Sequence, residues 1–213
     1  KHLLMSSTSS VYGANTQMPF DEIQKTDHPL SYYAATKKSN EIMAHSYSYV
    51  FKIPITMFRF FTVYGPWGRP DMALFKFTKN IIEGKKIDVY NHGEMARDFT
   101  YVEDLVNAIS KLISCIPEEG SNSSKIDSLS KVAPHRIVNI GNSKSVKLMD
   151  YISCLEEAIG TKANINFMPM QVGDVEKTEA NTELLLSLTG YRPHTEIEVG
   201  VRKFVEWYRS YYG

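Results

Sequence analysis

The chain has 213 residues, 43% hydrophobic and 23% charged, which is the balance of a soluble globular protein with a sizeable core. Its 24 basic residues equal its 24 acidic residues, which argues against a general binder of nucleic acid or of anionic membranes. No apolar run of the sequence reaches membrane-spanning length. Cys115 and Cys154 have neither metal-ligand spacing nor a disulfide framework, so we expect a cytoplasmic protein in a reducing compartment, without a metal site.

Strands and helices are predicted to alternate from the first residues onward. Leu3 to Met5 predicts a short buried strand, which a Ser/Thr-rich loop follows. Ser31 is the predicted N-cap of a long helix that continues to about Phe51. The apolar stripe of this helix is expected to consist of Ala35, Ile42, Met43, Tyr49 and Val50.

The remainder of the chain continues this alternation. Strands are predicted at residues 53–60, 87–90, 137–140 and 165–168, and helices at 73–83, 100–116, 148–159, 183–188 and 197–212. The Ser- and charge-rich segment 117–134 is expected to be a mobile excursion. Strands that alternate with helices indicate an α/β architecture with parallel pairing.

The first candidate for chemistry is the pair Tyr33 and Lys37, four residues apart on one face of the predicted helix. A phenol that acts as a base needs a nearby cation to favour the phenolate. The pattern is short enough to arise by chance, so it identifies no site alone. The hydroxyl-rich segment Ser6 to Gly13 follows the first strand, where a loop faces the ligand crevice of a parallel sheet. The alternative is a flexible loop without a role.

The order strand, Ser-Ser-Thr, Val-Tyr-Gly and then Pro-x-Ser-x-Tyr-x-x-x-Lys resembles the extended short-chain dehydrogenases/reductases. The resemblance implies that Thr8, Tyr33 and Lys37 form the catalytic group. It also implies NAD as the cofactor, with Tyr33 and Lys37 contacting it.

Later segments are similar to the nucleotide-sugar branch of that family, and especially to the UDP-glucuronate 4-epimerases. They are residues 59–66, 69–73, 96–102 and 171–174. The resemblance implies that Arg97 binds the diphosphate of a UDP-sugar, a task that suits a guanidinium group. It implies that Asp174 holds the ribose.

The type of reaction depends on two positions after Thr8. Dehydratases of the family carry an Asp-Glu pair there, and the related decarboxylases carry a glutamate, whereas this chain has Ser9 and Ser10. The resemblance therefore implies epimerisation of a UDP-sugar, such as UDP-glucuronate, through a 4-keto intermediate. Ser9, Ser10 and Thr62 would hydrogen-bond the sugar carboxylate, with Arg69 as a second anion partner.

Three alternatives stay open at this point. The enzyme could act on a neutral UDP-sugar, or it could be a nucleotide-sugar reductase. From a different class, the chain could be a non-catalytic sensor or binding module on the same fold.

The implied fold is an incomplete Rossmann-like parallel sheet with a smaller α/β substrate-binding domain. We assign residues 1–66 and 87–116 to the remainder of the dinucleotide-binding domain, and residues 67–86 and 117–213 to the nucleotide-sugar-binding domain. The chain opens on a core strand, and its glycines do not form the family's dinucleotide-binding loop. We therefore expect a fragment that binds NAD poorly and is inactive alone, and a full-length parent that is a homodimer.

Overall fold

The computed structural model describes residues 1–121 and 124–213. The strands are β1 (Leu3–Thr8), β2 (Ile55–Phe60), β3 (Thr62–Tyr64), β4 (Lys86–Val89), β5 (Ala96–Tyr101), β6 (His135–Ile140), β7 (Ser145–Lys147) and β8 (Asn164–Phe167). The helices are α1 (Tyr32–Phe51), α2 (Ala73–Ile82), α3 (Val102–Leu112), α4 (Leu148–Ile159), α5 (Glu183–Thr189) and α6 (Ile197–Tyr212). The predicted α/β class is confirmed. Residues 122 and 123 of the expected mobile excursion lie outside the described residues.

The main sheet has the order β1-β2-β6, and all its strands are parallel. The central strand β2 is buried from Ile55 to Arg59, as expected for a strand covered on both faces. The register places Ser7 of β1 opposite Arg59 of β2, which in turn lies opposite Asn139 of β6. Three polar side chains therefore form a row across the sheet near its carboxyl edge, which is where α/β folds bind ligands.

Two smaller sheets, β3-β5-β7 and β4-β8, belong to a second hydrophobic core. Helices α2, α4 and α6 supply most of its large side chains, and α4 packs against α6. Aromatic contacts are frequent: Phe99 stacks on Tyr151 with ring centroids 4.5 Å apart, and Phe75 meets Tyr208 edge to face at 5.2 Å. Tyr64, Phe75 and Phe204 of this second core form part of the wall of the large cavity described below.

Strand pairing differs from the expected domain division at two strands. β6 falls within the part assigned to nucleotide-sugar binding, but it pairs with β2 and buries Val138 and Ile140 in the main sheet. Most of β4 falls within the part assigned to dinucleotide binding, but it pairs with β8. After β2 the chain passes through the second core and returns to the main sheet only at β6. The expected domain division did not include this return. The rest of the division stays a prediction.

Helix α1 begins as predicted but buries a different face. The Ser31 hydroxyl accepts a hydrogen bond from the Ala34 N–H at 3.1 Å, so the predicted N-cap is confirmed. The predicted apolar stripe was wrong, because Ile42, Met43, Tyr49 and Val50 are all more than half exposed. The buried side chains are Ala34, Glu41, Ala44 and Ser48. Three of these residues are small and allow close approach to the sheet, and Glu41 is buried because it has a charged partner there.

Within residues 1–121 and 124–213, no helix is both long enough and apolar enough to cross a membrane.

Candidate active site

Two cavities lie at the carboxyl edge of the main sheet. The large cavity, about 510 Å³, is lined by six of the predicted site residues: Thr8, Ser9, Ser10, Tyr33, Thr62 and Arg69. The small cavity, about 140 Å³, adds Arg97 and Asp174. Because Ser9, Ser10 and Thr62 line both, the two cavities share a wall. Lys37 is the one predicted residue that lines neither.

The hydroxyl-rich loop is ordered by its own hydrogen bonds. Strand β1 ends at Thr8, and residues Ser9–Tyr12 form a single 3₁₀ turn. The Thr8 hydroxyl accepts from the Ser10 N–H at 3.2 Å and donates to the Ser10 hydroxyl at 3.2 Å. These contacts fix the hydroxyls at the cavity wall.

Tyr33 and Lys37 approach the same strand end from α1. Tyr33 lies in the first turn of the helix, is half exposed and lines the large cavity. One turn later, Lys37 Nζ donates to the carbonyl oxygen and the hydroxyl of Ser6, each at 3.3 Å. The structure thus brings Thr8 and Tyr33 to one cavity and places the Lys37 amine against the strand that carries Thr8. The catalytic roles of the three residues stay a prediction.

Arg97 and Asp174 are paired with each other. Arg97 Nη2 donates to Asp174 Oδ1 at 2.7 Å, and Nη1 donates to the carbonyl oxygen of Glu176 at 3.1 Å. Burial lowers the pKa of Arg97, and the carboxylate of Asp174 opposes that effect. The resemblance assigned Arg97 to the diphosphate and Asp174 to the ribose of a UDP-sugar. If both contacts form, the bound nucleotide replaces the ion pair between these two residues.

Arg69 lies in the loop at the rim of the large cavity. Its Nη2 is 3.6 Å from Asp71 Oδ2, and both side chains are mostly exposed. The loop is held by Trp67, whose ring packs on Trp207 of α6 with centroids 5.3 Å apart. Because an exposed ion pair is worth only about 0–1 kcal/mol, Arg69 can turn toward an anionic ligand at little cost.

A buried polar network lies behind the large cavity, and it was not found from the sequence. Arg59 is 1% exposed, and its Nε and Nη2 donate to the two carboxylate oxygens of Glu41, both at 2.9 Å. The Ser7 hydroxyl donates to Glu41 Oε1 at 2.6 Å. Burial opposes ionisation of Glu41, but the hydrogen bonds and charge of Arg59 outweigh it and hold the pKa of Glu41 below its ordinary value. A sequence signal existed, since Arg59 is the one charged residue of β2.

The network continues toward the small cavity. The Arg59 guanidinium lies over the Tyr12 ring, 4.8 Å from its centroid, and the Tyr12 hydroxyl donates to Asn139 Oδ1 at 2.7 Å. The Asn139 N–H donates to Glu22 at 2.8 Å. Burial raises the pKa of Glu22 to about 7 despite that hydrogen bond. The loop that carries Glu22 is thereby attached to β6, and Arg59 Nη1 attaches it to β2 by donating to the Glu22 carbonyl oxygen at 3.4 Å.

Comparison with known proteins places this geometry in a family. Residues 1–148 match the model of the NAD dependent epimerase/dehydratase family. Over its whole length the chain is 52% identical to Protein CapI of Staphylococcus aureus and 52% identical to a probable UDP-glucuronate 4-epimerase of Rhizobium meliloti. It covers 64% and 63% of those proteins, so it spans less than two thirds of their length.

A solved structure agrees with these matches. The UDP-glucuronic acid 4-epimerase of Bacillus cereus superposes on 99% of this chain with a TM-score of 0.84 and 30% identity, and the chain covers 62% of that protein. The family match covers the strand that ends at Thr8, helix α1 with Tyr33 and Lys37, and strand β5 with Arg97. The resemblance seen in the motifs is thereby confirmed, and the chain belongs to the NAD-dependent epimerase/dehydratase family.

Proposed function

We propose that this chain carries the sugar-binding and catalytic residues of an NAD-dependent 4-epimerase that acts on UDP-glucuronate. The observation that carries the proposal is the large cavity, where Thr8 and Tyr33 share the wall with the hydroxyls of Ser9, Ser10 and Thr62. The name of the Rhizobium meliloti relative supports it, as does the Bacillus cereus enzyme, which was solved with UDP-glucuronic acid and NAD.

The charge of the cavity suits an anionic sugar. Among the residues that the structure describes, no aspartate or glutamate lines the large cavity, and Arg69 is the cation at its rim. A carboxylate on the substrate would meet hydroxyl donors and the guanidinium group of Arg69, whose exposed partner Asp71 does not line the cavity. This described lining therefore offers no carboxylate to remove a proton from carbon, as a dehydration requires.

The residues present fit one end of NAD. Tyr33 lines the large cavity and Lys37 donates to Ser6 of β1, and a hydroxyl and an ammonium group suit the hydroxyls of the nicotinamide ribose. When bound, NAD supplies the oxidation and the subsequent reduction of the sugar carbon. The glycines of this chain do not form a dinucleotide-binding loop.

Each catalytic side chain has a separate task. The side-chain oxygen of Tyr33 accepts the proton of the sugar C4 hydroxyl and later returns it. Thr8 hydrogen-bonds the same oxygen, and the ammonium group of Lys37 contacts the nicotinamide ribose. Proton transfer by such a positioned group contributes about 10²- to 10⁴-fold to the rate. Arg97 and Asp174 exchange their mutual ion pair for contacts with the diphosphate and the ribose of UDP.

Exposed apolar side chains support an assembly. Ile42 and Val50 on α1 and Val106 on α3 are each more than half exposed. We propose that the full-length protein is a homodimer formed through these two helices. Sedimentation at the mass of a monomer would contradict this arrangement.

A neutral UDP-sugar is the second candidate substrate. MoeE5, whose structure is 27% identical to this chain, was solved with UDP-glucuronic acid and also with UDP-glucose. We expect the full-length protein with NAD to epimerise UDP-glucuronate at least about tenfold more efficiently than UDP-glucose, since one charge-assisted contact is worth about 1.5–3 kcal/mol. Product analysis by proton NMR measures both rates. Turnover of UDP-glucose alone would remove the carboxylate roles assigned to Ser9, Ser10, Thr62 and Arg69.

A further inference from the structure

Three buried side chains, Ser7, Glu41 and Arg59, join α1 to the two strands beneath it. Ser7 also lines the large cavity, whereas Glu41 and Arg59 do not. We propose that all three are positioning residues, which fix Tyr33 and Lys37 on the helix relative to Thr8 on the strand. This inference rests on the proposed function, because it concerns how the catalytic groups of that reaction are held.

The helix is attached to β1 at two successive turns. Lys37 donates to Ser6, and Glu41, one turn later, accepts from Ser7. Ser6 and Ser7 directly precede Thr8, so both attachments lie within two residues of its hydroxyl. Tyr33 lies one turn before Lys37 on the same helix face. A shift of α1 along the strand would therefore break both attachments and displace Tyr33 from Thr8.

Arg59 makes the second attachment rigid. It lies opposite Ser7 in the parallel register, and its planar guanidinium group holds both oxygens of Glu41. A bidentate pair fixes orientation as well as distance. The pair is buried, and the cost of removing both charges from water offsets much of its attraction. The pair therefore contributes mainly by fixing the position of α1 on the sheet. A displacement of a catalytic group by about 1 Å can lower the rate about 10²-fold.

The chain offers a matched control for this argument. Arg136 of β6 makes a second bidentate pair, with its Nε and Nη2 donating to the two oxygens of Asp127 at 2.9 and 3.1 Å. Both side chains are less than a tenth exposed. Arg136 lies opposite Thr56, near the amino end of β2, whereas Arg59 is near the carboxyl end. The two pairs share chemistry and burial but differ in their distance from the cavities.

The test is Ser7→Ala in the full-length protein with NAD and UDP-glucuronate. This change removes one hydrogen bond and leaves the Arg59–Glu41 charges paired, so the protein should fold. We expect kcat to fall about tenfold or more, the equivalent of losing one hydrogen bond to a charged group, while KM and the Kd of UDP stay within about twofold. In protein with labelled threonine methyl groups, the NMR resonance of Thr8 should also move.

Two further variants complete the test. Arg59→Lys keeps the charge but loses the bidentate contact, and it should show the same fall in kcat with little change in KM. Asp127→Asn should lower Tm and leave kcat unchanged. The inference is overturned if Ser7→Ala keeps the wild-type kcat and the wild-type Thr8 resonance. It is also overturned if Asp127→Asn lowers kcat as much as Arg59→Lys does when the two variants lose the same amount of Tm. A wild-type enzyme that forms no C4 epimer would instead contradict the proposed function.

Discussion

Replacing Tyr33 by phenylalanine is expected to lower kcat of the full-length protein by about 10²- to 10⁴-fold, because the variant loses the group that accepts the sugar hydroxyl proton. Phenylalanine keeps the aromatic ring, and Tyr33 is 53% exposed, so stability should change by no more than about 0.5 kcal/mol. The Kd of UDP should also stay unchanged, because Tyr33 does not line the small cavity. Steady-state assays with UDP-glucuronate and NAD give kcat, and calorimetry gives the Kd.

The neighbouring residue provides the control for this variant. Tyr32 is 87% exposed and lines neither cavity, so Tyr32→Phe should keep wild-type turnover. If Tyr33→Phe retained kcat within about threefold, the proton-transfer role would be lost, since such transfer contributes at least about 10²-fold. A non-catalytic sensor or binding module would then become the better interpretation.

The largest effect on stability is expected at Glu41. Glu41→Ala leaves the Arg59 guanidinium buried without its counter-charge, and breaking a buried pair in this way costs about 3–5 kcal/mol. Arg59 is 1% exposed, so water cannot replace the carboxylate without rearrangement of the core. Urea unfolding, followed by circular dichroism, measures the loss.

Ile42→Ala is the matched control, because Ile42 is the next residue on α1 and is 58% exposed. It should change the free energy of unfolding by about 0.5 kcal/mol or less. The double variant Glu41→Ala, Arg59→Met should recover most of the stability, since it removes both charges. Equal losses for Glu41→Ala and Ile42→Ala would show that Arg59 does not depend on Glu41.

Local sequence signals were sufficient for part of the fold and of the site. The hydroxyl run after β1 and the Ser31 N-cap are properties of neighbouring residues, so their positions followed from the sequence. The same holds for Tyr33 and Lys37, whose spacing on a helix sets which face they share.

Features that depend on distant pairing were not predictable in this way. Hydropathy favoured Ile42 and Met43 for the buried face of α1, but the helix instead buries Glu41, whose partner Arg59 lies on another strand. Likewise, the sequence pointed to Arg97 and Asp174 one at a time. Their ion pair could not be predicted, because the two residues are 77 positions apart in the chain. The position of β6 in the main sheet depends on a crossover that local periodicity does not encode.

The most direct test of the proposed chemistry is epimerisation of UDP-glucuronate by the full-length protein in D₂O. Tyr33 exchanges only the proton of a hydroxyl group, and the described lining of the large cavity contains no carboxylate to remove a proton from carbon. The C4 hydrogen should therefore return to the sugar without passing through water. Proton NMR should show the C4 epimer with no deuterium on any sugar carbon. Deuterium at a sugar carbon would contradict this mechanism and indicate a reaction that proceeds by removal of a carbon-bound proton.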